Sequence, residues 1–162
     1  MSMAIDPATD PLAFRNVLSR YATGVCVITC DGPFGPLGMT ANSFASVSLN
    51  PPLVLWSPAK SSRRAQAFVE AERYAIHVMS SDQQDVAGAF ARDGAAFDGL
   101  DWQDGDGVPL IEGCLARLEC RRYAVHDGGD HHVLLGRVVR AESQPGPALV
   151  FAGGAYSRLE LG

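Results

Sequence analysis

A chain of 162 residues is one domain's worth and long enough to bury a real core, and its 47% apolar content excludes a disordered or fibrous chain. A net charge of −5 excludes the basic footprint that nucleic acid or an anionic membrane surface requires. The opening MSMAIDPATD lacks the basic and apolar parts of a signal peptide, and no apolar run approaches the roughly 20 residues of a membrane span, so a soluble cytoplasmic protein is expected.

Asp10-Pro11 predicts a helix start, an N-cap followed by proline at the first helical position. Phe14, Val17, Leu18 and Tyr21 then recur at helical spacing, and Gly24 predicts the stop. Val25 to Thr29 reads as a strand, and Asp31-Gly32-Pro33-Phe34-Gly35-Pro36 as the turn after it. The glycines at 32, 35 and 38 imitate a phosphate loop. The interior prolines and the strand that follows do not fit a dinucleotide fingerprint.

The stretch from Gly38 to Ser62, GMTANSFASVSLNPPLVLWSPAKSS, organises the chain. Val47 and Leu49 alternate with Ser46, Ser48 and Asn50, which predicts a strand with one wet face. Pro51-Pro52 ends it, because neither proline can donate to a ladder. A more apolar strand, Leu53 to Trp56, follows. Lys60-Ser61-Ser62-Arg63-Arg64 then leads into a predicted helix over 63–70. Hydroxyls on a strand face beside a hydroxyl-rich, basic helix start suit a flat, phosphorylated ligand, and they suit an amphipathic hairpin with a capped helix equally well.

Tyr74 to Met79 reads as another strand, and Ser81 with Gln84 as a capping box for a helix through Arg92 with Val86, Ala89 and Phe90 inward. Residues 93–113, rich in Gly and Asp, predict a long loop anchored by Phe97, Leu100, Trp102 and Leu110, a candidate flap or dimer contact. Two long strands, Leu115 to His126 and His131 to Glu142, flank the turn 127–130. Ala148 to Phe151 is a last short strand. Cys26, Cys30, Cys114 and Cys120 have no metal or disulfide spacing and read as small buried hydrophobes. Many strands, three short helices and no βαβ alternation predict an antiparallel barrel with peripheral helices.

The run GMTANSFASVSLNPPLV, the serine pair at 61–62, Gly129-Asp130-His131 and the closing Gly154-Ala155-Tyr156 together resemble the flavin reductase-like, FMN-binding split-barrel family. The resemblance covers about residues 14–159, which implies one domain over residues 1–162. It sharpens the fold to mainly β, an antiparallel split barrel that forms a homodimer. It implies that Thr40, Ala41, Asn42, Ser43 and Phe44 lie along a flavin ring, with Ser46 and Ser48 toward the ribityl chain and Trp56-Ser57 beside it. Lys60, Ser61, Ser62 and Arg63 would hold the phosphate of FMN or FAD, since amides, hydroxyls and cations together attract anions. His131 would line the open ring face where NADH or NADPH docks, oriented by Asp130. Tyr156 would cap the flavin or support the interface. No fixed ligand spacing links His126, Asp130 and His131, so no metal is expected.

Hydride transfer between two bound rings needs no protein nucleophile, and neither a nucleophile elbow nor a zincin motif is present. The implied activity is an NAD(P)H:flavin oxidoreductase that hands reduced flavin to a separate monooxygenase. Two alternatives share the scaffold. One is a flavoprotein reductase of another acceptor, a corrinoid or a metal chelate, and the other is a non-enzymatic flavin-binding or electron-relay protein.

Overall fold

The computed structural model describes residues 1–161. Helix α1 (Pro11–Leu18) is followed by strands β1 (Thr23–Gly24), β2 (Cys26–Gly32), β3 (Gly35–Ala41), β4 (Ala45–Leu49) and β5 (Pro52–Trp56). Then come α2 (Ala65–Glu70), β6 (Arg73–Val78), a 3₁₀ turn (Ser81–Gln83) and α3 (Gln84–Arg92). The rest is strand: β7 (Trp102–Asp104), β8 (Pro109–Ile111), β9 (Ala116–Gly128), β10 (His131–Ser143), β11 (Ala148–Ala152) and β12 (Ala155–Leu159).

Seven strands form one antiparallel sheet in the order β3-β2-β6-β9-β10-β5-β4. Laid flat, its two edges would stand about 29 Å apart at the usual spacing between strands. Yet β3 and β4, the two edges, are joined by residues 42–44 alone, which reach about 14 Å at most. The sheet must therefore curl until its edges nearly meet. Register agrees, since Ala41 is level with Cys26, Val78, Ala116 and Ser143 across the sheet. Ala45 is level with Leu55 and Leu135, eight residues back along the same β10. A stagger of this kind is what barrel closure demands. The result is a split barrel, with the split crossed by Asn42-Ser43-Phe44.

Strand β2 is buried on both faces, and its alternation feeds two cores. Cys26, Ile28 and Cys30 point inward, where Trp56, Phe68, Tyr74, Ile76 and Leu134 fill the barrel. Val25 and Val27 point outward, under Met79, Ala87, Phe90, Phe97, Ile111 and Leu149. Gly38 is required here, because a Cβ at that position would lie 2.5 Å from the Phe90 ring. All four cysteines are buried and unpaired, and burial pushes the thiols of Cys26, Cys30 and Cys120 up to about 12. Smaller sheets, β1-β11-β12 and β7-β8, complete the fold. No helix among the described residues is long and apolar enough to cross a membrane.

Several local expectations need correction. Helix α1 stops at Leu18, not at Gly24, because beyond Ser19 the amides of Arg20 and Tyr21 turn back to Val17 O and Leu18 O, only three residues behind. The alternation of residues 45–49 does not bury a face, since both faces of β4 are accessible and Leu49 is 95% exposed. The capping box is Ser80 with Gln83, one residue earlier than expected. Helix α2 begins at Ala65 and has six residues, with no side-chain cap. Residues 93–113 are not a loose loop: β7 and β8 pair there, and Phe97 packs between Phe90 and Trp102 at 4.9 and 5.1 Å.

Candidate functional site

The split gathers most of the singled-out residues into one polar ribbon. Ser43 crosses it and is fixed there, because its hydroxyl accepts the Ser57 amide at 2.9 Å. That bond holds the split-crossing segment against the end of β5. Beyond Ser57 the chain runs beside the tip of the β9–β10 hairpin. His132 donates its amide to Pro58 O at 3.0 Å, and Lys60 donates its own to Asp130 O at 2.9 Å. Ala59 and His131 are bridged between the two segments. Backbone bonds thus place Asp130 and His131 against the 58–62 segment whatever their side chains do.

On the other side of Ser43, Thr40, Ala41 and Asn42 line a cleft of about 150 Å³ together with Val25, Phe151 and Tyr156. Tyr156 meets Phe151 edge-on at 5.3 Å, on the β11–β12 hairpin. The Thr40 hydroxyl donates to Ala87 O at 2.6 Å, so it ties β3 to α3 and is spoken for. The Asn42 side chain is exposed and without a protein partner among the described residues. Ser46 and Ser48 lie on the neighbouring edge strand.

Two aromatic assignments change. Trp56 is 0% exposed, standing edge-on to Phe68 at 5.1 Å inside the barrel. Alternation explains this, since Val54 and Trp56 share the inward face of β5. Only its backbone can border a ligand. Phe44 is partly buried and packs against the same core, so its ring has limited freedom to meet another.

The 60–64 turn divides its charges. Lys60 pairs with Asp127, whose carboxyl is held below the usual range first by that hydrogen bond and then by the lysine's charge. Arg64 is structural: its guanidinium donates to Gly38 O at 2.9 Å, Phe90 O at 2.5 Å and Ala91 O at 3.2 Å. A cation on the last carbonyls of α3 opposes that end of the helix dipole. Arg63 is exposed and has no protein partner among the described residues, nor do the amides of Ser61 and Arg63. Donors and a free cation therefore converge on this turn, the chemistry an anionic group requires. They come from a turn, because α2 starts too late and is too short to supply a helix end.

The His131 side chain is 44% exposed, with Nδ1 2.7 Å from the Asp130 carboxylate. The hydrogen bond from His131 holds the Asp130 carboxyl below its ordinary value, with the imidazole's charge second. With Nδ1–H engaged, Nε2 is the nitrogen free to face a ligand.

Two arginines of β9 are engaged within the fold. Arg117 is buried between Glu112 and Glu142. Arg122 donates to Val69 O at 3.1 Å and Glu70 O at 3.0 Å, closing α2. A larger cavity of about 320 Å³ lies beside Arg117, and its charged lining is that one cation between two carboxylates, a net negative charge that repels an anion. Sequence reasoning also passed over His77. Wholly buried, it donates Nδ1–H to Val27 O at 2.9 Å and accepts the Ile111 amide on Nε2 at 3.0 Å. Its setting in the otherwise apolar run Tyr74 to Met79 is the signal that could have found it. No cluster of three or more His, Cys, Asp or Glu among the described residues could hold a metal.

With this geometry in view, comparison with known proteins gives a consistent result. A profile described as "Flavin reductase like domain" matches residues 18–160, and the chain belongs to that family. The Agrobacterium fabrum protein named FMN reductase (NADH) SmoA is 58% identical over 147 residues, covering 90% of this chain and 84% of its own length. HsaB of Mycobacterium tuberculosis, named as the reductase subunit of a flavin-dependent monooxygenase, is 41% identical over 99% of this chain and 86% of its own. The Streptomyces globisporus NADH:FAD oxidoreductase SgcE6, solved with NAD and FAD fragments, superposes with a TM-score of 0.91. It shares 39% identity across 98% of this chain and 97% of that one.

Proposed function

We infer that the protein is an NAD(P)H-dependent flavin reductase that transfers hydride from a nicotinamide to FMN or FAD and supplies the reduced flavin to a partner monooxygenase. The observation that carries the reading is the single ribbon running from Tyr156 and Asn42 through Ser43 and Ser57 to Lys60–Arg63 and Asp130-His131. The names of SmoA, HsaB and SgcE6 support the same reaction class, with NADH as donor.

When bound, the flavin supplies the ring that accepts the hydride; the protein's part is to bind, orient and exclude water. Asn42 donates to the polar edge of the ring, and Tyr156 bounds one end of the cleft. Ser43 keeps the split-crossing segment at fixed height through its bond from Ser57. Ser46 and Ser48 follow the ribityl chain, while Ser61, Ser62, Lys60 and Arg63 receive the phosphate. His131 presents Nε2 to the nicotinamide side, held by Asp130. Because no residue bonds covalently to either ring, loss of any one of them weakens positioning without abolishing the chemistry.

The working unit is one domain over residues 1–162, core about 14–159, assembled as a homodimer. No residue of α1 is buried. Leu12, Val17 and Leu18 of α1, Val47 and Leu49 of β4, and Tyr123 and Val139 of the long hairpin all remain exposed. So much accessible aliphatic and aromatic surface on a chain of this size favours a second copy as its cover. Four unpaired cysteines suit the reducing cytoplasm.

The test is steady-state NADH oxidation with added FMN or FAD, followed at the nicotinamide absorbance. Turnover that depends on free flavin supports the reading. No stimulation by either flavin with either nucleotide would overturn it. Sedimentation of the purified chain tests the dimer, which a single monomeric species at micromolar concentration would refute.

A further inference from the structure

Lys60 opens the proposed phosphate turn, and it is already engaged. Its ammonium pairs with Asp127 across the mouth of the turn, while its amide is bound to Asp130 O. Both anchors lie at the tip of the β9–β10 hairpin. The Asp127 carboxylate is 78% exposed, and besides Lys60 it is held by the Gly129 amide of the hairpin turn, with His132 nearby. The other carboxylate near Lys60, that of Asp130, is occupied by His131. A phosphate entering this turn meets a lysine whose charge is cancelled, beside an anion that repels it. We propose that Asp127 is an affinity-limiting residue: it competes with the flavin phosphate for Lys60 and thereby keeps flavin an exchangeable substrate. This rests on the flavin reductase reading and on the assignment of the 60–63 turn to the phosphate.

The competition is a short-range charge effect at a wet surface. Removing the carboxylate should tighten FMN binding by about three- to tenfold at low ionic strength, and less as salt screens it. Riboflavin has no phosphate and should not respond. Asp127→Asn keeps an acceptor oxygen for the hairpin turn while removing the charge, so the tip is preserved. Dissociation constants for FMN and riboflavin, from quenching of flavin fluorescence, would be compared among wild type, Asp127→Asn, Lys60→Met and the double variant. The expected result is a gain for FMN alone in Asp127→Asn that vanishes in the Lys60→Met background. An unchanged or weakened FMN affinity, an equal gain for riboflavin, or a gain that survives loss of Lys60 would each overturn the proposal. Failure of the underlying reading is seen separately: the wild-type chain would then bind neither FMN nor riboflavin and would show no flavin-stimulated NADH oxidation.

Discussion

His77 and Arg63 are both basic side chains of the same barrel, and they sit in opposite circumstances. His77 is sealed between β2 and β8, with each ring nitrogen matched to one backbone group. Arg63 stands in water with no partner among the described residues, next to amides that also lack one. Arg64, one residue on, is spent on three carbonyls. On the proposed reading, the contrast separates architecture from recognition. A polar group the fold needs arrives with its hydrogen bonds already made, because leaving one unmade in the interior costs about 1–3 kcal/mol. A polar group kept for a ligand is left accessible and unpaired, since water satisfies it meanwhile.

The largest way to break this comparison is at His77. His77→Leu strands the Val27 carbonyl and the Ile111 amide, and should lower unfolding free energy by about 3 kcal/mol. Urea titration measures the loss, and flavin affinity per folded molecule should be unchanged. The same site gives a pH signature. Burial, the largest cause, brings the imidazole down from 6.5 to about 4. Between those values the unfolded chain binds the proton and the folded chain refuses it, so stability rises with pH through that window. It is full above pH 6.5 and falls on acidification by on the order of 3 kcal/mol. A urea midpoint that does not shift between pH 7 and 5 would contradict this.

At the ribbon, the effects move to activity. His131→Ala should cut kcat/KM for NADH by roughly ten- to a hundredfold with an unchanged melting temperature. Next comes the arginine pair. Arg63→Met should weaken FMN about tenfold while sparing riboflavin and stability. Arg64→Met should do the reverse, costing about 1–3 kcal/mol of stability. If the two variants behave alike, the division of labour within the turn is wrong. The smallest effect is expected at Asn42→Ala, a loss of a few-fold in affinity for both flavins, because one exposed hydrogen bond contributes about 1 kcal/mol.

Much of this plan was legible in the residues because it depends on patterns along the chain. The paired strands 115–126 and 131–142, the turn at 127–130 and the motif across Asn42 and Ser43 are all local signals. What escaped depends on the third dimension. Nothing in GMTANSFASVSLN says that its two halves form opposite edges of one sheet; that follows from closure. The family resemblance set Trp56 beside the flavin together with Ser57, yet alternation sends its ring into the core. Arg63 and Arg64 look identical in sequence, and only the end of α3 sorts them. The arginines at 117 and 122 look alike in sequence as well. In the fold, Arg117 faces two glutamates, and Arg122 closes a helix.

The central claim is that FMN lies along the ribbon with its phosphate at the 60–63 turn, while the polar pocket around Arg117 takes no part. Titrating isotope-labelled protein with FMN and following its amide resonances tests this directly. The account predicts that the amides of Asn42, Ser57, Ser61, Ser62, Arg63 and His131 shift together, while those of 111–117 and 142–144 stay still. Shifts concentrated at Glu112, Arg117 and Glu142 with a silent ribbon would contradict it.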